Sequence, residues 1–232
     1  MRKTMRETIV KLFPNISEEK IDKLFLFYKL ILSYNSHTNI TRITNDKEYI
    51  YKHIFDSVWP IINNEENFKG KKILDVGSGG GFPGIPIMIM FPGIKVDFID
   101  FNIKKIRFLR LALKELGLDS NIYYQNVIDF GISSPKSYDI IIARAFKNLS
   151  NTITIVAPLL KLEGRLYSYK GIKFLEEIEF AENSIKKHQL YIHSIMKNEL
   201  REKYGFRSII ILKKLNKGIS HKNQKVEKIW AK

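Results

Sequence analysis

Three observations predict an α/β fold on a mostly parallel sheet, with helices added at the N-terminal end. From Lys71 onward, short apolar runs alternate with amphipathic helical stretches, the pattern of parallel strands joined by crossover helices. The first run leads straight into Asp75-Val76-Gly77-Ser78-Gly79-Gly80-Gly81, a strand-to-turn junction of the kind at which open α/β sheets take ligands. Ahead of both, apolar residues recur at helical spacing. The chain has 232 residues, 44% of them hydrophobic, enough for one large domain or a core with an extension. The expected division is a helical extension over residues 1–66, a core over 67–215 and a basic tail over 216–232.

Ser17, shortly after Pro14, starts a helix whose Ile21, Leu24, Phe25, Tyr28 and Leu32 form an apolar face. Turn-prone residues 35–39 end it, and a further helix over 46–62 carries His53 and Asp56. Seven strands are expected, at 71–77, 95–100, 122–125, 138–145, 165–170, 191–197 and 207–213. The fourth, YDIIIARA, has the unbroken apolar run of a strand buried on both faces. Helices are expected after the glycine turn, over 102–117 with Gly117 as the stop, and near 174–187. The last two strands stand too close for a crossover and should form an antiparallel hairpin at one edge.

Lys plus Arg number 39 against 24 Asp plus Glu, a net charge of +15. The excess is uneven: +2 over residues 1–70, +6 over 71–172 and +7 over 173–232. Lysine outnumbers arginine 30 to 9, so a compositional bias would produce the same total, and the charge fits either a polyanion partner or a solvated surface. The lack of cysteine excludes disulfides, thiolate metal sites and cysteine nucleophiles, and fits a cytoplasmic setting. No apolar run reaches the ~18 residues of a membrane span, and the N-terminus has no secretory pattern. The five histidines show no ligand spacing with carboxylates, so no metal is expected.

The glycine turn narrows the ligand. Asp75 closes the first strand and Asp100 the second, 19 residues after Gly81; a carboxylate there can accept hydrogen bonds from both hydroxyls of a ribose. No Gly-Lys-Ser/Thr follows, which excludes a P-loop. A dinucleotide motif can be fitted to residues 79–84, but Pro83 stands where a helix N-terminus would have to offer N–H groups to a pyrophosphate. Asp-x-Gly-x-Gly-x-Gly, with an acid ending the second strand, resembles the motif of class I S-adenosylmethionine-dependent methyltransferases. Their ligand is a nucleoside bearing an amino acid and no phosphate. A dinucleotide oxidoreductase and a fold without catalysis are the alternatives.

A longer constellation is more specific. The turn continues through Phe82-Pro83-Gly84-Ile85-Pro86. Upstream stand Tyr34-Asn35, Asn39-Ile40-Thr41 and His53-Ile54-Phe55-Asp56-Ser57. Downstream stand Lys104-Lys105, Phe108-Leu109, Ala143-Arg144-Ala145-Phe146 and Tyr169-Lys170-Gly171. In this order and spacing, over about residues 30–215, the chain resembles the RsmG (glucose-inhibited division protein B) family. The resemblance implies methyl transfer from S-adenosylmethionine to N7 of a guanine in the decoding region of bacterial 16S rRNA. It implies cofactor contacts from Asp75, Gly77, Gly79, Gly81 and Phe82, with Asp100 on the ribose, Val127 and Ile128 flanking the adenine, and Arg144 at the cofactor site. Lys104, Lys170 and Arg207 match basic positions serving RNA binding or catalysis, and His53 and Asp56 match a structural His-x-x-Asp-Ser. The chain departs from the family's usual Arg-x-Glu at Asn126-Val127-Ile128, which removes one RNA or active-site contact. The missing Glu matters less if backbone groups hold the adenine.

Guanine N7 carries an exposed lone pair and loses no proton on methylation. The reaction therefore needs positioning and desolvation rather than a strong base. Arg144 and Lys170 are the expected catalytic residues, bonded to guanine O6 or to a phosphate. Phosphate is preferred, because a cation near N7 opposes the charge forming on the base. Along 102–117, Ile106, Leu109, Leu113 and Leu116 form an apolar stripe, with Arg107, Arg110 and Lys114 beside it. That second stripe reads equally as an RNA face or a solvated one. The expected partner is 16S rRNA, bare or in the 30S subunit, acted on by a monomer and without a membrane. The rivals are another methyltransferase on this scaffold and an RNA-binding protein with a vestigial cofactor pocket.

Overall fold

The computed structural model describes residues 2–35, 40–41, 43, 45–62, 64–199 and 204–216. The expected tail beyond Asn216 and the 36–39 turn with His37 and Asn39 lie outside the described residues. The chain opens with α1 (Arg2–Leu12) and α2 (Glu18–Asn35). On α2 the buried residues are Ile21, Leu24, Phe27, Tyr28 and Ile31. The apolar face is thus rotated slightly from the expected one, leaving Phe25 and Leu32 half-buried at its margin. The helix expected over 46–62 is instead α3 (Asp46–Tyr49), a π-helical turn (Ile50–Phe55) and α4 (Asp56–Val58). Asn45 caps its start by accepting from the Lys47 and Glu48 amides. It ends before Pro60, which cannot continue a helix.

All seven expected strands are present: β1 (Ile73–Val76), β2 (Val96–Asp100), β3 (Ile122–Tyr124), β4 (Tyr138–Arg144), β5 (Leu160–Lys170), β6 (Leu190–Glu199) and β7 (Phe206–Lys214). They form one sheet in the order β3-β2-β1-β4-β5-β7-β6. The first five strands are parallel, and β7 runs antiparallel to both β5 and β6. The strand order reverses between β1 and β4, so the crevice at their C-terminal ends is where a doubly wound sheet binds ligands.

The crossovers are α5 (Gly84–Met90), α6 (Ile103–Leu116), α7 (Val127–Ser133), α8 (Leu149–Val156) and α9 (Phe174–Lys187). Gly117 ends α6 in the left-handed conformation at φ +63°. α7 and α8 are additional to the helices expected from the sequence. The β-branched run Thr152-Ile153-Thr154-Ile155-Val156 favours a strand locally. It is helical because Asn148 caps the Asn151 amide and Glu177, from α9, accepts the Leu149 amide at 2.7 Å.

Side chains alternate across the sheet and feed two cores. One face packs Ile73, Phe98, Ile140 and Ile209 against α1, α2, the 46–58 segment, α5 and α6. The other packs Leu74, Ile99, Ile141 and Ile210 against α7, α8 and α9. The N-terminal helices are therefore part of a core that the sheet shares, with Met5, Leu24 and Ile54 at 1%, 0% and 0% exposure.

Candidate active site

The turn after β1 is built by glycines in the left-handed region, with Gly77 at φ +67° and Gly79 at φ +55°. A side chain at Gly77 would be strained and would also collide, since a Cβ there would stand 2.6 Å from Phe146 Cδ2. Ser78 ties the turn to β2: its hydroxyl donates to the Asp75 carbonyl at 2.7 Å and accepts the Ile99 amide at 3.1 Å. Asp100, ending β2, accepts the Gly79 amide on Oδ2 at 2.9 Å and the Asn102 amide on Oδ1 at 2.8 Å. Both oxygens keep lone pairs for a ribose.

Asp75 works differently. It is buried, and its Oδ2 accepts the Gly84 amide at 2.9 Å. Burial pushes its carboxyl up to about 7, against the pull of the Gly84 amide and Arg144. Oδ1 has no hydrogen-bond partner among the described residues. The N-terminus of α5 is thus already occupied by an acid, and a phosphate there would meet that acid instead of free N–H groups. This disfavours a pyrophosphate ligand and fits a nucleoside without one.

Beside the turn, a cavity of about 620 Å³ opens at the C-terminal ends of β4 and β5. Arg144 stands in its wall. Its Nη1 donates to the Lys52 carbonyl at 3.2 Å and to Asp56 Oδ2 at 3.1 Å, and its Nη2 lies 2.9 Å from His53 Nδ1. A guanidinium only donates, so Nδ1 accepts and the imidazole proton sits on Nε2, which donates to Thr41 Oγ1 at 2.8 Å. Burial, reinforced by Arg144, Arg207 and Lys52, holds His53 down at about 2. His53 is therefore neutral, with both nitrogens engaged. Asp56 is buried and also faces Arg207, whose Nε lies 3.5 Å from Oδ1. Burial raises the Asp56 pKa while the two arginines oppose the rise. The π-helical turn carries both Lys52 and His53, so the Lys52 carbonyl that receives Arg144 comes from an irregular helical segment. Asn35 supports the cluster from a distance: its Oδ1 accepts the Ile40 and Thr41 amides at 2.8 and 3.1 Å, and its Nδ2 donates to the Thr41 carbonyl at 2.9 Å.

Arg144, Lys170 and Arg207 meet at this cavity, but not as free cations. Lys170 Nζ pairs with Glu177 at 2.6 Å and donates to the Lys147 carbonyl at 2.8 Å, with its side chain only 8% exposed. Lys170, expected as a catalytic and RNA-binding cation, is thus ion-paired with Glu177 in this structure. Lys104 is exposed on α6, whereas its neighbour Lys105 reaches the glycine turn, its Nζ 3.6 Å from where a Cβ on Gly79 would lie. Helical phase held that signal, since Lys105 lies one turn ahead of buried Leu109. Arg107 and Arg110 are exposed on α6, away from the residues lining the cavity. Phe82 is buried beneath the cluster at 6% exposure. Its ring stacks on His53 at 4.2 Å, with the Arg144 guanidinium 5.2 Å from its centroid. Val127 is buried and Ile128 is 53% exposed at the start of α7. Asn126, which stands in place of the family's Arg, caps that helix by accepting the Ile128 amide at 2.9 Å. His53 and Asp56, read from the sequence as structural, turn out to hold the site's principal arginine.

Among the described residues, no group of three or more His, Asp or Glu side chains could hold a metal. No helix among them is long and apolar enough to cross a membrane.

The fold is similar to that of a ribosomal protein L11 methylase from Lactobacillus delbrueckii, with TM-score 0.54 and 16% identity over 70% of this chain and 79% of that one. The glycine turn, an Asp100 with lone pairs free for a ribose and a helix N-terminus closed to phosphate fit a class I S-adenosylmethionine-dependent methyltransferase, the class that the sequence relatives establish. The family model described as GidB, rRNA small subunit methyltransferase G, matches residues 20–204. A relative named ribosomal RNA small subunit methyltransferase G, from Acholeplasma laidlawii, is 34% identical over 199 residues, covering 86% of each chain. One of the same name from Lactococcus lactis is 36% identical over 173 residues, covering 73% of each. The chain belongs to the RsmG (GidB) family.

Proposed function

We propose that this enzyme methylates N7 of a guanine in the decoding region of small-subunit 16S rRNA, with the target base entering the cavity beside the glycine turn. The observation that carries this reading is the cavity itself. Its walls supply arginines and aromatic carbon, and its histidine and carboxylates are already paired with cations. Both His53 nitrogens are hydrogen-bonded and Asp56 is ion-paired with two guanidiniums, which disfavours either as a base. Methylation of guanine N7 removes none. Bound at the glycine turn, S-adenosylmethionine supplies an electrophilic methyl group on a sulfonium centre.

The protein's part is to hold the base still and dry. Three donor contacts fix the Arg144 guanidinium on Lys52, Asp56 and His53, and its remaining N–H groups can meet guanine O6 or a phosphate. Lys170 shapes the wall by tying β5 to the Lys147 turn and to α9. A base inside a stem or stack must first swing out, at a cost of a few kcal/mol. The exposed Arg107, Arg110 and Lys114 are offered as the phosphate-contacting face that offsets it. The enzyme is read as a monomer acting on bare rRNA or on the 30S subunit. The test is to map N7-methylguanine in 16S rRNA from cells with and without the gene. Loss of one mark in the decoding region is expected, and an unchanged map rejects the substrate.

A further inference from the structure

We propose that Phe146 is a two-position ring that couples the cofactor turn to the substrate cavity. It rests on Gly77 until the cofactor site fills, then swings into the cavity and stacks on the target base. The inference rests on the function proposed above.

The backbone sets the first position. β4 ends at Arg144, and Ala145 takes φ +51°, a left-handed conformation that a residue with a Cβ rarely adopts. That bend turns the chain so that Phe146 lies back over the end of β1. A Cβ on Gly77 would be 2.6 Å from Phe146 Cδ2 and 3.3 Å from Cε2, so the ring covers the α-carbon of Gly77. Gly77 lies at the switch point, where a ligand must approach the backbone closely. The ring and that ligand therefore claim overlapping space.

The second position is open on the other side. Phe146 also lines the cavity of about 620 Å³ and is half-buried at the margin of the second core. Its cavity-side neighbour is Lys147, whose ammonium is 6.0 Å from the ring centroid and which is itself exposed. The other aromatic walls cannot serve as platforms. Tyr169 is 6% exposed and its hydroxyl donates to the Ser57 carbonyl at 2.9 Å, while the His53 face is taken by Phe82. Phe146 is the lining aromatic that is only half-buried, and an aromatic ring in such a wall can stack on a base.

A ring that must leave Gly77 before it can stack makes cofactor and RNA bind cooperatively, and by linkage the factor is the same in both directions. The experiment measures the affinity of an unmethylated 16S rRNA transcript with and without S-adenosylhomocysteine, for wild type and F146A, F146Y and F146L. In wild type the nucleoside should tighten RNA binding roughly tenfold. F146A should bind S-adenosylhomocysteine severalfold more tightly and lose the coupling, F146Y should keep it, and F146L should bind RNA as weakly as F146A. Thermal midpoints close to wild type would show that the variants are folded. The proposal is overturned if wild type shows no coupling, if F146A keeps it, or if F146A binds S-adenosylhomocysteine no better than wild type. The N7-methylguanine map of wild-type cells does not depend on the ring, so it identifies a failure of the substrate assignment separately.

Discussion

Asp56 holds a guanidinium on each side, so its removal should be felt at both Arg144 and Arg207. Asp56→Asn keeps the shape but turns an amide toward one arginine and leaves two poorly paired cations. Breaking a buried pair in this way costs about 3 kcal/mol, readable in urea melts. We expect kcat/KM to fall more than tenfold while S-adenosylhomocysteine affinity changes little, because neither arginine belongs to the glycine turn. Asp75 predicts a pH effect. Burial raises its folded pKa to about 7 from the ordinary 3.8, so the native state keeps a proton that the unfolded chain releases. Its contribution is fully present below pH ~4 and is lost as pH rises through 7, by ~4 kcal/mol. Asp75→Asn should remove that slope, and melts at pH 5 and pH 8 should differ less in the variant than in wild type. Equal slopes in the two proteins would contradict the assignment. Of these residues, Asp75 and Asp100 were legible as strand-end acids. The tautomer of His53 was not, because it depends on an arginine 91 residues away.

On α6 the two stripes separate cleanly: Ile106, Leu109, Leu113 and Leu116 are buried, and Arg107, Arg110 and Lys114 are exposed. Replacing those three by Glu should leave S-adenosylhomocysteine binding intact, weaken rRNA binding and flatten its salt dependence, each lost phosphate contact lowering the log–log slope by ~0.7–0.9. An unchanged slope would make the stripe a solvated face. Element by element, the strands and α6 were readable because their periods of two and 3.6 residues are local. α7 and α8 were not. α7 is seven residues long, too short to show a period. α8 contradicts its own β-branched propensity because Glu177, 28 residues away, satisfies its first amide. The π-helical turn was equally invisible, since a change of register within a helix leaves the apolar pattern nearly unaltered.

For the whole molecule, the shared core makes the N-terminal helices structurally obligatory. Met5 and Ile9 of α1 are 1% and 0% exposed, and burying two such side chains is worth about 4 kcal/mol. The Arg2–Asp22 and Arg6–Glu18 pairs are exposed and add little. Deleting residues 1–12 should therefore lower the thermal midpoint markedly, whereas Arg2→Ala with Arg6→Ala should barely move it. The truncation should also lower activity, because α1 packs on the π-helical turn that carries His53. The sequence by itself determined the α/β class, the number of strands with an antiparallel pair at one edge, and a turn suited to a nucleoside without phosphate. These follow from periodicity and turn chemistry within short stretches. It also contained the +15 charge without saying which cations are free. Only the tertiary structure decided that Glu177 neutralises Lys170, that Lys105 rather than Lys104 reaches the glycine turn, that His53 and Asp56 hold Arg144, and that Phe146 lies on Gly77. Each of these facts is a distance between groups brought together by the folded chain, and such distances leave no trace in a local pattern.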